Sequence, residues 1–346
     1  MKYPILTPEA VRKAVTRLPR VDLAHLPTPL EEVPRFAERL GGVRIYIKRD
    51  DCTGLLFGGN KTRHNEFLLA DALRQGADMI VWGAGVQSNN CRQTAAACAK
   101  LGLECRLYLT RANHDADVQG NLLLDYLVGA KVEIVDLPMG PEMNALLAAK
   151  AEEFRAAGRR PYFWEPKQGR PIAAVSYLLC MAEIVEEIRA QGIKPSAIYI
   201  SSAGGTGAGM ALGRVVLGLG CPMRLICPIR WPWKVREDLA EVANQTAAIL
   251  SLPHRLTVED VDACEDYIGP AYGAVTHEGW EAMDLLARTE GILLDPVYTA
   301  KAMAALIQDI RKHRLKPGET AIFVHTGGTP AVFAYRDEMM TRHGSR

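Results

Sequence analysis

Short apolar runs alternate along this chain with longer stretches in which apolar residues recur every three or four positions. The runs Val43–Lys48, Met79–Trp82, Arg106–Leu109, Val132–Val135, Ile198–Ile200, Leu225–Ile229 and Ala321–Val324 predict strands. Between them, Thr62–Arg74, Asn90–Leu101, Val118–Val128, Glu142–Ala157, Ala173–Ala190, Gly207–Leu217, Lys234–Leu250 and Ala300–Lys312 predict helices. The alternation implies an α/β fold of parallel sheets covered by helices. In such folds ligands sit beyond the carboxyl ends of the strands, where loops open into helices. The segment Arg159–Pro171, rich in Pro, Gly and charge, is the candidate crossover between two lobes. No internal repeat or low-complexity tract interrupts the pattern.

Composition narrows the function mainly by exclusion. The chain has 346 residues, enough for two lobes, with 48% hydrophobic and 23% charged residues. A net charge of +1 gives no basic field for nucleic acid and no polybasic run for a membrane surface. No run reaches the roughly 18 apolar residues that a bilayer span needs, and the start MKYPILTPEAVRKAVTRLPR lacks a secretory signal core. None of the eight cysteines forms a CxxC pair. They predict reduced thiols rather than a metal site, and a cytoplasmic protein.

Four loops carry candidate chemistry. In GLLFGGNKTRHNEF (Gly54–Phe67), Gly58 and Gly59 let the backbone pass close to a ligand, and Asn60 suits an N-cap. Lys61 then sits at a helix N-terminus, where the dipole disfavours a cation and lowers its pKa, as a Schiff-base lysine needs. A solvated surface lysine is the plain alternative. In WGAGVQSNNCRQTAAACAKLG (Trp82–Gly102), Gln87, Ser88 and Asn89 precede a helix whose free N–H groups suit a carboxylate. Equally, Ser88 could simply cap its own helix. In IYISSAGGTGAGMALG (Ile198–Gly213), a strand feeds a Gly-rich turn that suits a monophosphate, or serves only as a tight packing turn. Tyr298, Thr299 and Thr326 stand in the fourth region, LLDPVYTAKAM with FVHTGGTP, where a tyrosine can pack or move a proton.

Together these motifs resemble the fold type II (tryptophan-synthase-like) pyridoxal 5′-phosphate (PLP) enzymes. Within them the match is to the D-cysteine desulfhydrase and 1-aminocyclopropane-1-carboxylate (ACC) deaminase family. LPTPLEEVPRFAERLGG, KRDDCTGLLFGGNKTR, QSNNCRQTAAACAKLG, AGGTGAGMALG, YIGPAYG and ARTEGILLDPVYTAKAM occur in the family's order over nearly the whole chain. The resemblance implies two lobes with the cofactor in the interdomain cleft. Residues 1–50 and 166–346 would form the large domain and 51–165 the small one, and the molecule would be a homodimer. Lys61 would carry PLP. Asn60 would lie near the ring's 3′ oxygen, and Gly204, Gly205, Thr206 and Gly207 would hold the phosphate. Ser88, Asn89 and Gln87 would bind the substrate carboxylate, Tyr272 and Tyr298 would line the pocket, and Thr299 and Thr326 would face the pyridine nitrogen. Lys61, Ser88 and Tyr298 are the candidates for moving the Cα proton.

Thr299 and Thr326 also bear on the subtype. ACC deaminases carry Glu and Leu at these positions, whereas desulfhydrases carry these threonines. A neutral hydroxyl makes a weaker electron sink than a carboxylate, which suits expulsion of a stable β-substituent better than ring opening. The expected reaction is therefore α,β-elimination from D-cysteine or a similar small amino acid, giving pyruvate and ammonia. Departures from the family pattern at His64, Asn90 and Arg230 leave L-cysteate sulfo-lyase and ACC deaminase as alternatives, because Arg230 or His64 could suit an anionic side chain. Racemase or β-replacement chemistry uses the same cofactor. A nicotinamide-dependent dehydrogenase built on Gly83 and Gly85 lacks the third glycine, and a non-catalytic PLP-binding protein would share every cofactor residue.

Overall fold

The computed structural model describes residues 3–111, 118–164 and 166–344. The chain opens with α1 (Pro8–Val15), β1 (Leu30–Glu32), α2 (Pro34–Arg39) and β2 (Arg44–Lys48). It continues through α3 (Asn60–Arg74), β3 (Met79–Gly85), α4 (Asn89–Leu101), β4 (Glu104–Thr110), α5 (Gly120–Leu127), β5 (Lys131–Val135), α6 (Pro141–Ala156) and β6 (Pro161–Tyr162). After the long helix α7 (Pro166–Ala190) come β7 (Ala197–Ser201), α8 (Gly205–Val216), β8 (Met223–Ile226), α9 (Val235–Ile249) and β9 (Asp262–Cys264). The last elements are α10 (His277–Glu290), α11 (Thr299–Arg311), β10 (Thr320–Val324) and α12 (Arg336–His343).

Two sheets result. A six-stranded sheet has the order β1-β2-β10-β7-β8-β9, with only β1 antiparallel to its neighbour. A four-stranded, wholly parallel sheet has the order β5-β4-β3-β6. All seven strands expected from apolar runs are present. Strands β1, β6 and β9 were not expected, because three residues or fewer show no period. The proposed crossover Arg159–Pro171 needs correction, since its part from Pro166 onward is the start of α7; residue 165 lies outside the described residues. Gly169 and Pro171 are helical there. A Cβ at Gly169 would stand 2.5 Å from the Trp164 ring, so this glycine serves packing rather than a turn. Among the described residues no helix is long and apolar enough to cross a membrane.

The Gly-rich turn has a second use. Gly205, Gly209 and Gly213, spaced by four, form one stripe of α8 that presses on α7. A Cβ at Gly209 would lie 2.1 Å from the Ala174 carbonyl oxygen, and one at Gly213 2.5 Å from Met181 Cβ. Gly204, by contrast, faces open space. The core is further fixed by a buried ionic cluster. Arg63 donates to Asp50 at 2.8 and 2.9 Å and to Glu183 at 2.7 and 2.8 Å. Lys48 reaches Glu183 at 3.1 Å and Glu187 at 2.7 Å.

Gly209→Ala should therefore destabilise the protein by about 1–3 kcal/mol or more through overpacking, whereas Gly204→Ala should leave the denaturation midpoint unchanged. Urea titrations of the two variants beside the wild type check this. Equal midpoints for all three would show that α7 and α8 can part at little cost.

Candidate active site

The carboxyl ends of β3, β7 and β10 and the loop before α3 converge on a cavity of about 230 Å³. Lys61 lines it. Gly58 and Gly59 have φ of +63° and +118°, and a Cβ at Gly58 would stand 2.1 Å from the Asp51 carbonyl oxygen. Gly59 occupies the N-cap position and Asn60 begins the helix, which corrects the expected Asn60 cap. The Asn60 amide instead donates across the cavity to Thr206 Oγ1 at 3.0 Å. Lys61 makes no hydrogen bond or ion pair among the described residues. Burial, and secondarily the Arg170 charge, lower its pKa from 10.5 to about 8.

The second wall is the start of α4, where Ser88, Asn89 and Asn90 line the cavity. Ser88 caps its own helix, accepting from the amides of Asn90 and Cys91 at 3.2 Å each. With its oxygen so engaged, its hydroxyl is left as a donor. Asn89 Oδ1 accepts from Asn121 Nδ2 at 3.0 Å, leaving the Asn89 amide nitrogen available. Gln87 does not line the cavity; it donates to the Gln119 carbonyl at 3.0 Å and accepts from the Asn121 amide at 2.9 Å, so it secures α5 instead of a ligand.

The third wall is the turn from β7 into α8. Ser202 Oγ accepts from the amides of Gly204 at 3.3 Å and Gly207 at 2.7 Å, which curls the turn. The Gly205 and Thr206 amides have no partner among the described residues. Gly205 and Gly207 face α7 and Ser202 rather than the cavity, while Gly204 and Thr206 line it. Thr206 Oγ1 also lies 2.9 Å from His64 Nε2. His64 is buried; burial, then the charges of Lys61 and Arg63, push its pKa well below the ordinary range, so it is neutral.

On the fourth wall, the hydroxyls of Tyr272 and Tyr298 lie 2.5 Å apart. Burial, helped by Tyr272, holds Tyr298 well above its ordinary pKa, so it stays protonated. Thr326 lines the cavity with a hydroxyl that makes no hydrogen bond among the described residues, and its carbonyl accepts from the backbone N–H of Asn60 at 3.0 Å. Thr299 does not join it. Its hydroxyl donates to Asp295 Oδ1 at 2.7 Å, and the Asp295 carboxylate in turn accepts from the amides of Val297, Tyr298 and Thr299 at the start of α11. The expectation that Thr299 faces the ring nitrogen is therefore corrected. Arg230 is exposed and outside the lining, whereas its neighbours Ile229 and Trp231 lie within it. Ser201, Ser202, Pro228 and Met139 also line the cavity without having been expected. Ser201 and Ser202 stood in the quoted Gly-rich motif, whereas nothing local marks Met139.

An unpaired amine with a lowered pKa faces free helix-N-terminal amides, a glycine with open space beside it and an unengaged hydroxyl. These groups fit PLP: the amine suits its aldehyde and the amides suit its phosphate. Residues 21–327 match the family described as pyridoxal-phosphate dependent enzyme. The chain belongs to that family. Among solved structures, this PLP-dependent enzyme is similar to an ACC deaminase homologue, with 33% identity, a TM-score of 0.86, and coverage of 96% of this chain and 98% of that one. Its fold is also similar to Escherichia coli diaminopropionate ammonia lyase, at 16% identity and a TM-score of 0.66, covering 98% of this chain and 91% of that one.

The lowered Lys61 pKa has a kinetic consequence. Only the neutral amine can capture PLP, and the neutral fraction grows as pH rises through about 8. The rate at which apoprotein covalently captures PLP, followed at the cofactor's absorption band, should be half-maximal near pH 8. A half-maximum near the ordinary lysine value of 10.5 would contradict the account.

Proposed function

We propose that this PLP-dependent enzyme is a lyase that performs α,β-elimination on a small amino acid with an uncharged β-substituent, D-cysteine-like, releasing pyruvate and ammonia. One observation carries the reading: among the described residues the cavity lining contains no arginine, histidine, aspartate or glutamate, and Lys61 is its single cation. Apart from Lys61, which serves the cofactor, a sulfonate or carboxylate side chain would find no counter-charge among these residues, and a second ammonium would find none. Arg230 and His64, the residues that could have favoured L-cysteate, are respectively exposed and buried behind Thr206.

The roles follow from the hydrogen-bonding capacity of each group. Gly204, the free amides of Gly205 and Thr206, and the Thr206 hydroxyl would hold the phosphate, and Thr326 would face the ring nitrogen. PLP, when bound, supplies an electron sink beside the substrate Cα. Ser88 and the Asn89 amide would donate to the substrate carboxylate. Ser88 is a poor base because its oxygen already accepts two amide protons. Tyr298, held protonated, is a donor at rest. The Cα proton therefore falls to Lys61, whose pKa of about 8 lets it take a proton and return it near neutral pH. The β-substituent leaves with its bonding pair, and the Tyr272–Tyr298 pair can protonate it. The resulting enamine hydrolyses to pyruvate and ammonia. Six buried, unpaired cysteines support a reducing, cytoplasmic setting.

A second reading is deamination of ACC, favoured by the likeness to the ACC deaminase homologue. ACC is uncharged beyond its α-groups, so the cavity charge does not discriminate against it. Thr326 does, since a neutral partner leaves the weaker sink.

In a 2-oxoacid release screen, D-cysteine or β-chloroalanine should exceed L-cysteate, 2,3-diaminopropionate and ACC by about tenfold or more in kcat/KM, the equivalent of roughly 1.4 kcal/mol. Turnover of L-cysteate at the same rate would overturn the charge argument, and turnover of ACC at the same rate would favour the second reading.

A further inference from the structure

Lys301 lies on α11, beneath the cavity and outside its lining. It is fully buried, and no carboxylate pairs with it among the described residues. Its ammonium donates to two backbone carbonyls, Ile268 at 2.6 Å and Pro228 at 3.2 Å. Burial lowers its pKa to about 8, against the opposing pull of Asp295. A methionine of similar length would fill this space without the cost of burying a charge. The carbonyls it holds are what distinguish it.

Both carbonyls belong to loops that form cavity walls. Pro228 begins the segment that continues through Ile229 and Trp231, all three of which line the cavity. Ile268 precedes Tyr272 on the facing loop. Among the described residues, no other hydrogen bond reaches the backbone of residues 228–233. Trp231 stacks on Trp233 at 4.6 Å, so the two indoles move with that backbone. Lys301 therefore supplies the one hydrogen bond to this stretch of backbone among the described residues, beside the packing of Trp231 on the core.

We propose that Lys301 is a positioning residue: its ammonium ties the Pro228–Trp231 segment to the Ile268–Tyr272 loop and so sets the width of the substrate end of the cavity. This rests on the proposed amino-acid-binding role of that cavity. Gly204, Thr206 and Thr326, which serve the cofactor end, hang on β7, α8 and β10 and do not depend on the tie.

The test uses PLP-loaded Lys301→Met and Lys301→Gln with two measurements. In holoenzyme labelled with 5-fluorotryptophan, the fluorine resonances of Trp231 and Trp233 should move and narrow in the Met variant and less in the Gln variant, which keeps a donor. Those of Trp82 and Trp164, together with cofactor content, should stay at wild type. Spectral titration with alanine, which has no β-leaving group, should show affinity weakened about tenfold in the Met variant, as expected for loss of roughly 1.4 kcal/mol, and partly recovered in the Gln variant. Unchanged Trp231 and Trp233 resonances would overturn the tie, and altered resonances with unchanged alanine affinity would overturn its role in shaping the substrate end. If the Met variant fails to fold, wild-type resonances and affinity in the Gln variant overturn the proposal equally. Failure of the functional reading would look different: wild-type enzyme would neither bind alanine nor release 2-oxoacid, while the fluorine comparison would still judge the tie.

Discussion

The structure depends first on the charges gathered around Arg63. This residue stands two positions beyond Lys61, and its guanidinium is enclosed by Asp50, at the end of β2, and Glu183, on α7. Burial alone would push Asp50 upward in pKa, but the charge and hydrogen bonds of Arg63 hold it below the ordinary carboxylate range. Tyr177 adds a 2.5 Å hydrogen bond to Asp50, and Thr28 one of 2.7 Å. Removing one partner of such a group leaves a buried charge uncompensated, at a cost of about 3–5 kcal/mol. Helix α3 thus cannot slide or rotate relative to the six-stranded sheet without breaking the cluster, and Lys61 is held at a fixed place in the cavity.

With α3 fixed, the other walls are set by close backbone approach. The stripe Gly205, Gly209 and Gly213 brings α8 onto α7, which places the free amides at the start of α8 beside Lys61. A Cβ at Gly327 would stand 2.6 Å from Gly59 Cα, so the loop carrying Thr326 is pressed against the loop carrying Lys61. The Asn60 amide proton on the Thr326 carbonyl closes that seam. Polar cross-links and glycines fix these walls, and they leave the Lys61 amine, the Gly205 and Thr206 amides and the Thr326 hydroxyl unengaged among the described residues. An unpaired amine, two free amides and a free hydroxyl in one enclosed space are costly in an ordinary core, and a bound ligand is what offsets them.

The sequence carried some of this openly and hid the rest for identifiable reasons. The central strands were legible because they are continuous apolar runs, whereas β6 and β9 owe their existence to pairing with distant neighbours. Lys61 was legible because its setting is local: two glycines, a polar residue and a helix start. Thr299 was set at the ring by the family resemblance, while its hydroxyl goes to Asp295, four residues upstream. That spacing was visible in the chain and signals a cap. The Gly-rich motif offered a ligand cradle or a packing turn, and it is both: every fourth glycine belongs to the α7 contact, while the amides at the start of α8 stay free. Lys301 could not be read at all, because the two carbonyls it binds lie 73 and 33 residues away and have no side-chain signature.

The central claim is that one lysine, set by the Arg63 cluster and left unpaired, carries the cofactor. Borohydride reduction of the PLP-loaded protein, followed by digestion and mass spectrometry, tests it directly. The account predicts a single pyridoxyl adduct on Lys61, in the peptide that begins α3. An adduct on Lys48, Lys301 or any other lysine, or no adduct at all, would contradict it.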